Sequence, residues 1–531
     1  MAKVSISVSK KILADVSRGI YRTPANAIKE LVSNAFDACA TWVNITTNSP
    51  YFDIFTCEDN GNGMSIEHFK RILERIGSST KRADKAQFID CNEIRRPIIG
   101  KIGIGLLAVS QICDEFTIIS KEKGKEEKFE AHIKLLQFEE EDDAYNNGEK
   151  SIDLGECELN SIYASEEEIP ISYTKIIMHP LREGFQNGLK KEYKEPTIRG
   201  KESTSSATDF VDLLKLLDKG ISRNLRLKSF SNYDLMVWEL GLLSPTKYIT
   251  QDVLQEQNVI FPSYDFISED IKRLNEYKFR LFVDGMEIYK PLLFLKGNGI
   301  EKENDDFKIY KLEPFNQEIA GERLKFHGYI YSQRVKIKPE ELQGILIRIK
   351  DVAIGSYDKS ILKYPREEGP IFSMISGEIF IEEGLENALN IDRNSFNETH
   401  PHYQEIQRYI HLFVRKHVVN DIRTRSSKRQ KTKKQNQVNE NLAIISEKIR
   451  SKWKVNFILE TKEEEQTQPY MFDEKENRLV FFNKSKRWSS SEKEKFLQMK
   501  SIIAFTLIKQ LRDKGVNEDD IILNMVLGKN E

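Results

Sequence analysis

The run from Thr23 to Ala38 constrains the fold of this chain more than any other stretch. It reads TPANAIKELVSNAFDA, and a threonine followed by a proline is typical of the cap and first turn of a helix. At 100° per residue, one narrow stripe of that helix holds four polar residues, Asn26, Glu30, Asn34 and Asp37. The other faces carry apolar residues such as Ile28, Leu31 and Phe36, which predicts a largely buried helix. Because a buried polar stripe costs free energy unless something satisfies it, we expect a ligand, a metal ion or another polar network to face it.

Composition sets the class of protein. A chain of 531 residues is long enough for two to four domains, and its 39% hydrophobic and 31% charged residues predict a soluble globular protein. The formal net charge is −2, so any affinity for nucleic acid or for membranes must be local. The first residues, MAKVSISVSKK, lack the apolar core of a signal peptide, and no apolar run approaches the roughly 20 residues of a membrane span. We therefore expect a cytoplasmic protein.

The cysteines carry a prediction of their own. There are five, an odd number, and none is spaced as CxxC: Cys39, Cys57, Cys91, Cys113 and Cys157. This pattern favours reduced thiols that pack in the core, and it argues against a disulfide framework or a zinc site.

Two glycine-rich segments follow the polar helix. A predicted strand, residues 51–57, leads directly into EDNGNGM at 58–64, and GKIGIG at 100–105 precedes the apolar run from Leu106 to Ile112. Glycines at these places indicate a tight turn or a close approach of the backbone to another group. The pattern GxxxxGK[ST] is absent from the sequence, which excludes a P-loop.

An ATP pocket without a P-loop needs a carboxylate for the adenine amine, glycines for close approach, and a base that activates water. Asp59 at a strand end suits the first role, and Gly61 and Gly63 suit the second. Glu30 suits the third as general base, a role worth about 10²–10⁴ in rate. Asn34 could offer its amide oxygen to Mg²⁺, which takes few protein ligands besides phosphates and waters.

The second glycine segment is suited to the phosphates. Backbone N–H groups of Gly100, Gly103 and Gly105, at the start of a helix, would bind phosphate oxygens. Lys81 and Lys101 would add positive charge in the same place.

Four motifs in this order resemble those of the GHKL ATPase superfamily, which includes gyrase B subunits, the ninety-kilodalton heat-shock chaperone, histidine kinases, MutL and MORC proteins. They are Glu30-x-x-x-Asn34-x-x-Asp37-Ala38, Asp59-x-Gly61-x-Gly63-Met64, Gly77-Ser78-Ser79-Thr80-Lys81 and Gly100-x-x-Gly103-x-Gly105, all within about 80 residues. The resemblance implies a Bergerat ATP-binding α/β sandwich with a flexible lid over roughly 65–100. It also implies a set of nucleotide-binding residues: Asn34, Asp37, Ala38, Asp59, Gly61, Gly63, Met64, Lys81, Gly100, Lys101, Gly103, Ile104, Gly105, Leu106 and Thr174.

Thr174 is included in this set because of a strand motif. The segment SYTKI at 172–176 is similar to the family's Gly-Thr-x-Ile strand, whose threonine helps to hold the adenine-binding aspartate. Tyr173 stands where the family usually has glycine, so this chain departs from the pattern at that position.

The later part of the chain resembles the family's second domain. QGILIRIK at 343–350 is similar to a strand of the ribosomal-S5-like transducer domain, from which a basic residue reaches the terminal phosphate. LNIDR at 389–393 looks like the chaperone's Leu-Asn-x-Ser-Arg segment, so the resemblance makes Arg393 a catalytic candidate. Lys350 and Lys363 compete for this role.

The predicted fold class is α+β, with five segments along the chain. A GHKL ATP-binding domain spans 1–185, a linker and helical insertion 186–250, a transducer domain 251–400, a helical and basic connector 401–452, and a small α+β domain 453–531. A hairpin with an Asp-Gly turn at 280–289 is expected in the transducer domain, with strands 324–331 and 345–349 extending its sheet.

The favoured function is that of a Mg²⁺-dependent ATPase that works as a conformational switch. The resemblance implies an ATP-dependent homodimer, a clamp that acts on a protein or nucleic-acid client. The alternative is a DNA-associated ATPase of the MutL, MORC or gyrase type, for instance in a defence system. The run Arg423–Lys434, with seven basic residues and no acidic one, motivates this alternative. Such a run is more often a solvated linker, and this one lacks the interleaved aromatic residues of a nucleic-acid contact.

Three further interpretations explain less of the sequence. A nucleotide-binding scaffold without turnover is disfavoured because Glu30 and Asn34 are both present. A dinucleotide fingerprint at 103–108, with Glu122 as its acidic residue, leaves the polar stripe unexplained. A sensor histidine kinase would carry its ATP domain at the other end of the chain.

Overall fold

The computed structural model describes residues 23–74, 88–91, 94–99, 108–135, 155–190, 209–223, 230–250, 265–291, 294, 298–300, 306–366, 368–390 and 394–527. The chain forms two compact units, Met1–Asn420 and Asp421–Glu531. Among the helices of the described ranges, none is both long enough and apolar enough to cross a membrane.

An eight-stranded mixed sheet dominates the first unit. Its strands lie in the order β10-β9-β1-β2-β8-β5-β6-β7, and all neighbours are antiparallel except β1 and β9. The strands are β1 Trp42–Thr46, β2 Phe55–Asp59, β5 Glu115–Lys121, β6 Glu127–Leu135, β7 Gly155–Tyr163, β8 Tyr173–Met178, β9 Arg280–Val283 and β10 Met286–Ile288. A separate hairpin consists of β3 Phe88–Cys91 and β4 Ile94–Pro97.

The helix at the polar stripe is α1, Pro24–Asp37, and it begins where the sequence predicts. Thr23 caps it by accepting a hydrogen bond from the backbone N–H of Asn26 at 3.4 Å. Apolar α1 residues such as Ile28 and Phe36 share one core with the inward side chains of β1 and β2. Within the described ranges, the other α-helices before the second sheet are α2 Ile66–Glu74, α3 Glu183–Leu189, α4 Phe210–Ser222, α5 Asn232–Leu243 and α6 Ser268–Glu276.

The hairpin β9–β10 is placed differently from the prediction. It extends the first sheet by pairing β9 in parallel with β1, from Trp42 opposite Arg280 to Ile45 opposite Val283. Asp284 in its turn secures this edge, because its carboxylate accepts hydrogen bonds from the backbone N–H and hydroxyl of Thr47 at 2.7 and 2.6 Å. An Asp-Gly turn predicts a hairpin from local sequence but not the sheet that the hairpin joins.

A second sheet of five strands follows, in the order β11-β12-β15-β13-β14, and it does not include the β9–β10 hairpin. Its strands are β11 Phe307–Ile319, β12 Glu322–Gln333, β13 Gly344–Ile349, β14 Val352–Asp358 and β15 Ile375–Glu383. Helix α7, Pro401–Phe413, comes next and continues as a π-helix over Val414–Val419. Short 3₁₀ helices in this unit are Asp265–Ile267, Glu340–Leu342, Gly369–Met374 and Glu386–Ala388.

The second sheet holds a fully buried ion pair. Arg348 on β13 donates to both carboxylate oxygens of Glu378 on β15, at 2.6 and 3.1 Å, and to the carbonyl of Leu242 at 2.8 Å. The Tyr357 hydroxyl donates to the same carboxylate at 2.8 Å. These bonds satisfy both charges, and the nearby guanidinium keeps the pKa of Glu378 below its usual range despite burial.

The second unit contains the long helix α8, Asn420–Trp453, apart from its first residue, and a three-stranded sheet. The sheet order is β16-β18-β17, with β16 Ile458–Lys462, β17 Tyr470–Asp473 and β18 Arg478–Phe482. It is followed by α9 Glu492–Leu511, the 3₁₀ helix Arg512–Lys514, α10 Glu518–Ile522 and the π-helix Leu523–Leu527. The basic run 423–434 lies on α8, and nearly all of its side chains are exposed.

The prediction that all cysteines are reduced thiols is wrong for two of them. Cys39, two residues beyond α1, forms a disulfide with Cys91, the last residue of β3. The two lie 52 positions apart in sequence, and only the folded topology brings their Cα atoms to 5.3 Å. Cys57 and Cys113 are buried free thiols, and Cys157 is an exposed one.

Candidate functional site

The polar residues of helix α1 differ in how far they are exposed to solvent. Glu30 is 1% exposed, Asp37 is also buried, and Asn34 between them is exposed. The Glu30 carboxylate lies 4.0 Å from the ammonium of Lys29. At 1.5 Å per residue, Glu30 and Asp37 are about 10 Å apart along the helix axis. The helix therefore presents a buried carboxylate and an exposed amide along the same stripe.

Asp59 is the last residue of β2, and its nearly buried carboxylate accepts a hydrogen bond through one of its two oxygens. It is 8% exposed, and its Oδ1 accepts a hydrogen bond from the backbone N–H of Gly61 at 2.8 Å. Within the part of the chain that the structure describes, no residue donates a hydrogen bond to Oδ2. Burial, which outweighs the Gly61 hydrogen bond, raises the pKa of Asp59 to about 7.

The glycines after Asp59 are required by contacts within the protein. A Cβ on Gly61 would lie 2.6 Å from the carbonyl oxygen of Ala38, and one on Gly63 only 2.0 Å from that of Lys121. Gly63 also has φ +68°, which favours glycine. The backbone N–H of Asn62 donates to the carbonyl of Ala38 at 2.7 Å. The close approach expected at these glycines is thus to the end of α1 and to β5, and the Asp59 turn is packed on the helix.

Thr174 lies opposite Asp59 in the sheet, within a hydroxyl network. The two residues are register partners across β2 and β8. The Thr174 hydroxyl is 3.0 Å from the Ser120 hydroxyl, which also bonds the carbonyl of Tyr173 at 3.1 Å and receives the backbone N–H of Met64 at 2.9 Å. Ser120 thereby fixes the end of the Asp59 turn to β5 and β8. Only strand register could have revealed Ser120, because no local motif marks it.

The segment before Gly100 is anchored to the end of α1. Asp37 accepts a hydrogen bond from the backbone N–H of Ile99 at 2.7 Å. Arg96, fully buried on β4, donates to the carbonyl of Ala40 at 2.6 Å and to that of Tyr277. A cation at the C-terminal end of a helix is favourable because it offsets the partial negative charge there. The chain therefore enters the second glycine segment from a fixed point beside Asp37.

Lys29 is a second residue that sequence reasoning missed. Its side chain is 1% exposed, and its ammonium donates to the Ala353 carbonyl at 3.4 Å and to Asn394 Oδ1 at 3.3 Å. The sequence does contain a signal for this role, because Lys29 is a charged residue on the predicted buried side of the helix. Lys29 connects the helix that carries Glu30 with β14 and with the residue that follows Arg393 in sequence.

Eight of the predicted site residues lie outside the described ranges: Lys81, Gly100, Lys101, Gly103, Ile104, Gly105, Leu106 and Arg393. Two other basic candidates differ in placement. Lys350 is buried, donating to the Ile98 carbonyl at 3.2 Å and pairing with Glu386 at 3.1 Å. Lys363 is exposed and pairs with Glu398. Of these two, only Lys350 contacts the segment that leads to Gly100.

The donor set of the described residues fits Mg²⁺ held chiefly by a nucleotide. Within the described ranges, no three histidine, cysteine, aspartate or glutamate side chains converge into a metal cluster. An exposed amide on the helix that carries a buried carboxylate matches a cation that takes one or two protein ligands plus phosphate oxygens and waters. Asn34 is the residue that would hold the ion.

A helix with a buried carboxylate, packed against an aspartate turn and a mixed sheet, is the arrangement of a Bergerat ATP-binding fold. Comparison with known families agrees: residues 21–167 match the family described as histidine kinase-, DNA gyrase B-, and HSP90-like ATPase. Residues 21–167 are therefore similar to the GHKL ATPases, the superfamily that the four motifs resemble.

Parts of this chain are also similar in sequence to individual proteins. HgiDII of Herpetosiphon aurantiacus, whose name describes it provisionally as a type II restriction enzyme, is 35% identical over 127 residues, 24% of this chain and 20% of that protein. The chaperone protein HtpG of Bacillus subtilis is 26% identical over 242 residues, 37% of each chain. The DNA mismatch repair protein MutL of Rickettsia canadensis is 29% identical over 117 residues, 22% of this chain and 18% of MutL. The matched part is thus well under half the length of each relative.

Proposed function

We propose that this protein binds and hydrolyses ATP with Mg²⁺ and uses the cycle as a conformational switch. One observation carries the proposal. The end of α1, the Asp59 turn and the segment before Gly100 meet through the bonds of Ala38 and Asp37, on the helix that also buries Glu30. This arrangement supports an ATP site because three groups lie on adjoining elements: an exposed amide, a buried base, and a carboxylate whose Oδ2 receives no hydrogen bond from the described residues.

Each side chain has a proposed role. Asp59 accepts the adenine amine through Oδ2, while Gly61 holds Oδ1, and Thr174 with Ser120 keeps this strand end in place. Glu30 takes the proton from the attacking water. Asn34 binds Mg²⁺ together with the phosphates, and the bound ion neutralises charge on the phosphate oxygens. A basic residue from the part of the chain that follows the first sheet, Lys350 or Arg393, stabilises the terminal phosphate.

The switch is proposed to act between two chains. The resemblance implies that ATP closes the lid and pairs two N-terminal domains as a clamp on a protein client. Lys29 supports a link from the site to later elements, because it joins α1 to β14 and Asn394. A link of this kind lets the state of the nucleotide bias the position of the second sheet.

Phosphate release from ATP, with and without Mg²⁺, tests the proposal. Glu30→Ala should lower the hydrolysis rate by about 10²–10⁴, because it removes the general base, and should leave ATP binding intact. Glu126→Ala, which changes an exposed glutamate in the turn between β5 and β6, is the matched control and should keep the full rate.

Two outcomes contradict parts of the proposal. If the wild-type protein binds Mg²⁺–ATP but releases no phosphate even in a single turnover, the protein is a nucleotide-binding scaffold. If Glu30→Ala hydrolyses ATP at the wild-type rate, Glu30 is not the base.

A second candidate function is a DNA-associated ATPase, favoured by the basic run on α8. This part of the helix, 423–434, carries seven basic residues, is mostly exposed and has no acidic residue. Helix neighbours such as Lys428 and Lys431 repel each other, and a polyanion would relieve that repulsion. MutL, named for DNA mismatch repair, is among the relatives, which adds support for this client.

Neutralising the run tests this candidate. The variant K428Q/K431Q/K433Q/K434Q should weaken binding to duplex DNA and reduce its salt slope by about 0.9 for each lysine that had bound a phosphate. The matched control, K475Q/K486Q/K493Q/K514Q, removes the same charge from exposed lysines elsewhere in the second unit. Equal weakening in both variants, or DNA binding that is insensitive to salt, would contradict a specific role for the run.

A further inference from the structure

The disulfide between Cys39 and Cys91 lies at the point where the proposed nucleotide site is assembled. Cys39 is the second residue after α1, and Cys91 ends the first strand of the β3–β4 hairpin. On either side of Cys39, the carbonyl of Ala38 receives the Asn62 N–H and that of Ala40 receives Arg96. The disulfide therefore joins the hairpin to the short segment on which the Asp59 turn rests.

The hairpin reaches the same segment through non-covalent contacts as well. Arg96 on β4 binds the Ala40 carbonyl, and the backbone N–H of Ile99 binds Asp37. Ile99 immediately precedes Gly100, the first glycine of the predicted phosphate segment. Of these links, the disulfide is the one that a thiol reagent can open without changing pH or denaturing the protein.

We propose that Cys39–Cys91 is a redox modification site that sets the affinity of this domain for nucleotide. The proposal rests on the proposed function, because nucleotide binding is its readout. The oxidised pair fixes the hairpin, and with it the strand that leads to Ile99, against the end of α1. In the reduced protein that geometry depends on non-covalent contacts alone, so nucleotide binding must order more of the chain.

The chemistry is thiol–disulfide exchange with a small disulfide such as oxidised glutathione. One cysteine thiolate attacks a sulfur of glutathione disulfide, forming a mixed disulfide and releasing one glutathione thiolate. The second cysteine thiolate then attacks the protein sulfur of the mixed disulfide and releases the second glutathione. Two protein thiols are oxidised, one glutathione disulfide is reduced to two thiols, and the two protons pass to the released thiolates or to water. Cys39 is half-buried and Cys91 is 6% exposed, so Cys39 is the more accessible residue of the pair.

The test uses the full chain equilibrated with oxidised glutathione or with dithiothreitol, and then freed of reagent. Peptide mass spectrometry without reduction should identify the Cys39–Cys91 linkage in the first sample and its absence in the second. The Kd for Mg²⁺ with a slowly hydrolysed ATP analogue should be lower in the oxidised sample, by roughly 3- to 10-fold, the scale of ordering one or two side chains.

Serine variants assign the effect to this pair. Cys91→Ser and Cys39→Ser should each remove the difference between the two samples and bind with the reduced affinity. Cys157→Ser removes an exposed free thiol on β7 and should keep the full difference. Because wild-type protein supplies the primary comparison, a variant that folds poorly does not decide the result.

The outcomes separate this proposal from the function on which it rests. A linkage that forms without changing the Kd, or that is absent from the oxidised sample, overturns the redox proposal and leaves the ATPase untouched. Absence of nucleotide binding in both samples overturns the proposed function, and the redox proposal falls with it.

Discussion

Helices α1 and α8 both carry polar runs that are conspicuous in the sequence, yet they place those residues in opposite environments. On α1, Glu30 and Asp37 are buried among the apolar residues of the core, and each ionised group there must be compensated. On α8, the residues of 423–434 are solvated on nearly every side. Burying a polar residue costs free energy of desolvation that a partner or ligand must offset, whereas an exposed polar residue has almost no such cost.

The difference explains why the two runs support functional proposals to different degrees. The buried stripe implies a specific neighbour, and the Asp59 turn and the Ile99 backbone supply part of it. The exposed basic run is compatible with water alone and becomes informative only through its charge. The following predictions test that contrast, beginning with the largest effect.

The first prediction compares a buried ion pair with an exposed one. Arg348→Met would leave the Glu378 carboxylate buried without its partner, and should lower the free energy of unfolding by about 3–5 kcal/mol. Lys336→Met breaks the exposed pair with Glu340, whose charged atoms are 2.6 Å apart and whose side chains are about half exposed, and should cost under about 1 kcal/mol. Urea denaturation followed by circular dichroism measures both, and equal losses would contradict the contrast between buried and exposed charge.

The second prediction concerns the protonation of Asp59. Its pKa of about 7 in the unliganded protein means that a proton must leave before the carboxylate can accept the adenine amine. Nucleotide affinity should therefore rise as pH increases from 5.5 to 7, by up to about tenfold per pH unit, and level off above about 7. Calorimetry of nucleotide binding near pH 6.5, in buffers of different ionisation enthalpy, should detect that binding releases a fraction of a proton.

A matched pair of variants assigns this pH dependence. Asp59→Asn should bind nucleotide weakly at every pH and release no proton. Asp53→Asn changes an exposed aspartate whose pKa is lowered chiefly by its hydrogen bond from Asn48, and should keep the wild-type profile. Affinity that falls as pH rises from 5.5 to 7 would show that the ionised carboxylate is not the acceptor.

The smallest expected effect is on the stability of α8. Replacing four exposed lysines with glutamine, as in K428Q/K431Q/K433Q/K434Q, removes like-charge repulsion between helix neighbours and should change stability by only a few tenths of a kcal/mol. The change should be stabilising at low salt and vanish at high salt, because salt screens exposed charges. Thermal unfolding at low and high salt measures it, and a drop of several degrees would indicate that these lysines are not simply solvated.

Much of the fold could be predicted because its signals are local. The Thr23–Pro24 cap marks the start of α1, and the strands expected at 324–331 and 345–349 lie within β12 and β13. The pair of motifs at Asp37–Ala38 and Asp59–Gly63 is brought together as the resemblance implies. These signals lie within short stretches of the chain, where sequence patterns are most informative.

The unpredicted features depend on register and on distant contacts. The sequence does not indicate strand β7, since its residues are mostly exposed and lack a regular apolar alternation. The β9–β10 hairpin joins the first sheet through pairing with β1, and the Cys39–Cys91 link spans 52 positions. Ser120 and Lys29 contribute to the site only through partners far away in sequence, Thr174 and Asn394. The predicted phosphate-binding glycines at 100–105 and Arg393 lie outside the described residues and stay predictions.

The central claim is that α1 and the Asp59 turn together form an ATP site. Calorimetric titration of the full chain with ATP and Mg²⁺ at about pH 8, above the pKa of Asp59, tests it most directly when the Asp59→Ala variant is measured beside it. We predict one nucleotide bound per chain to the wild-type protein and at least a tenfold weaker affinity for Asp59→Ala, with Asp53→Ala unchanged. Absence of binding to the wild-type protein, or equal affinity in Asp59→Ala, would contradict the claim.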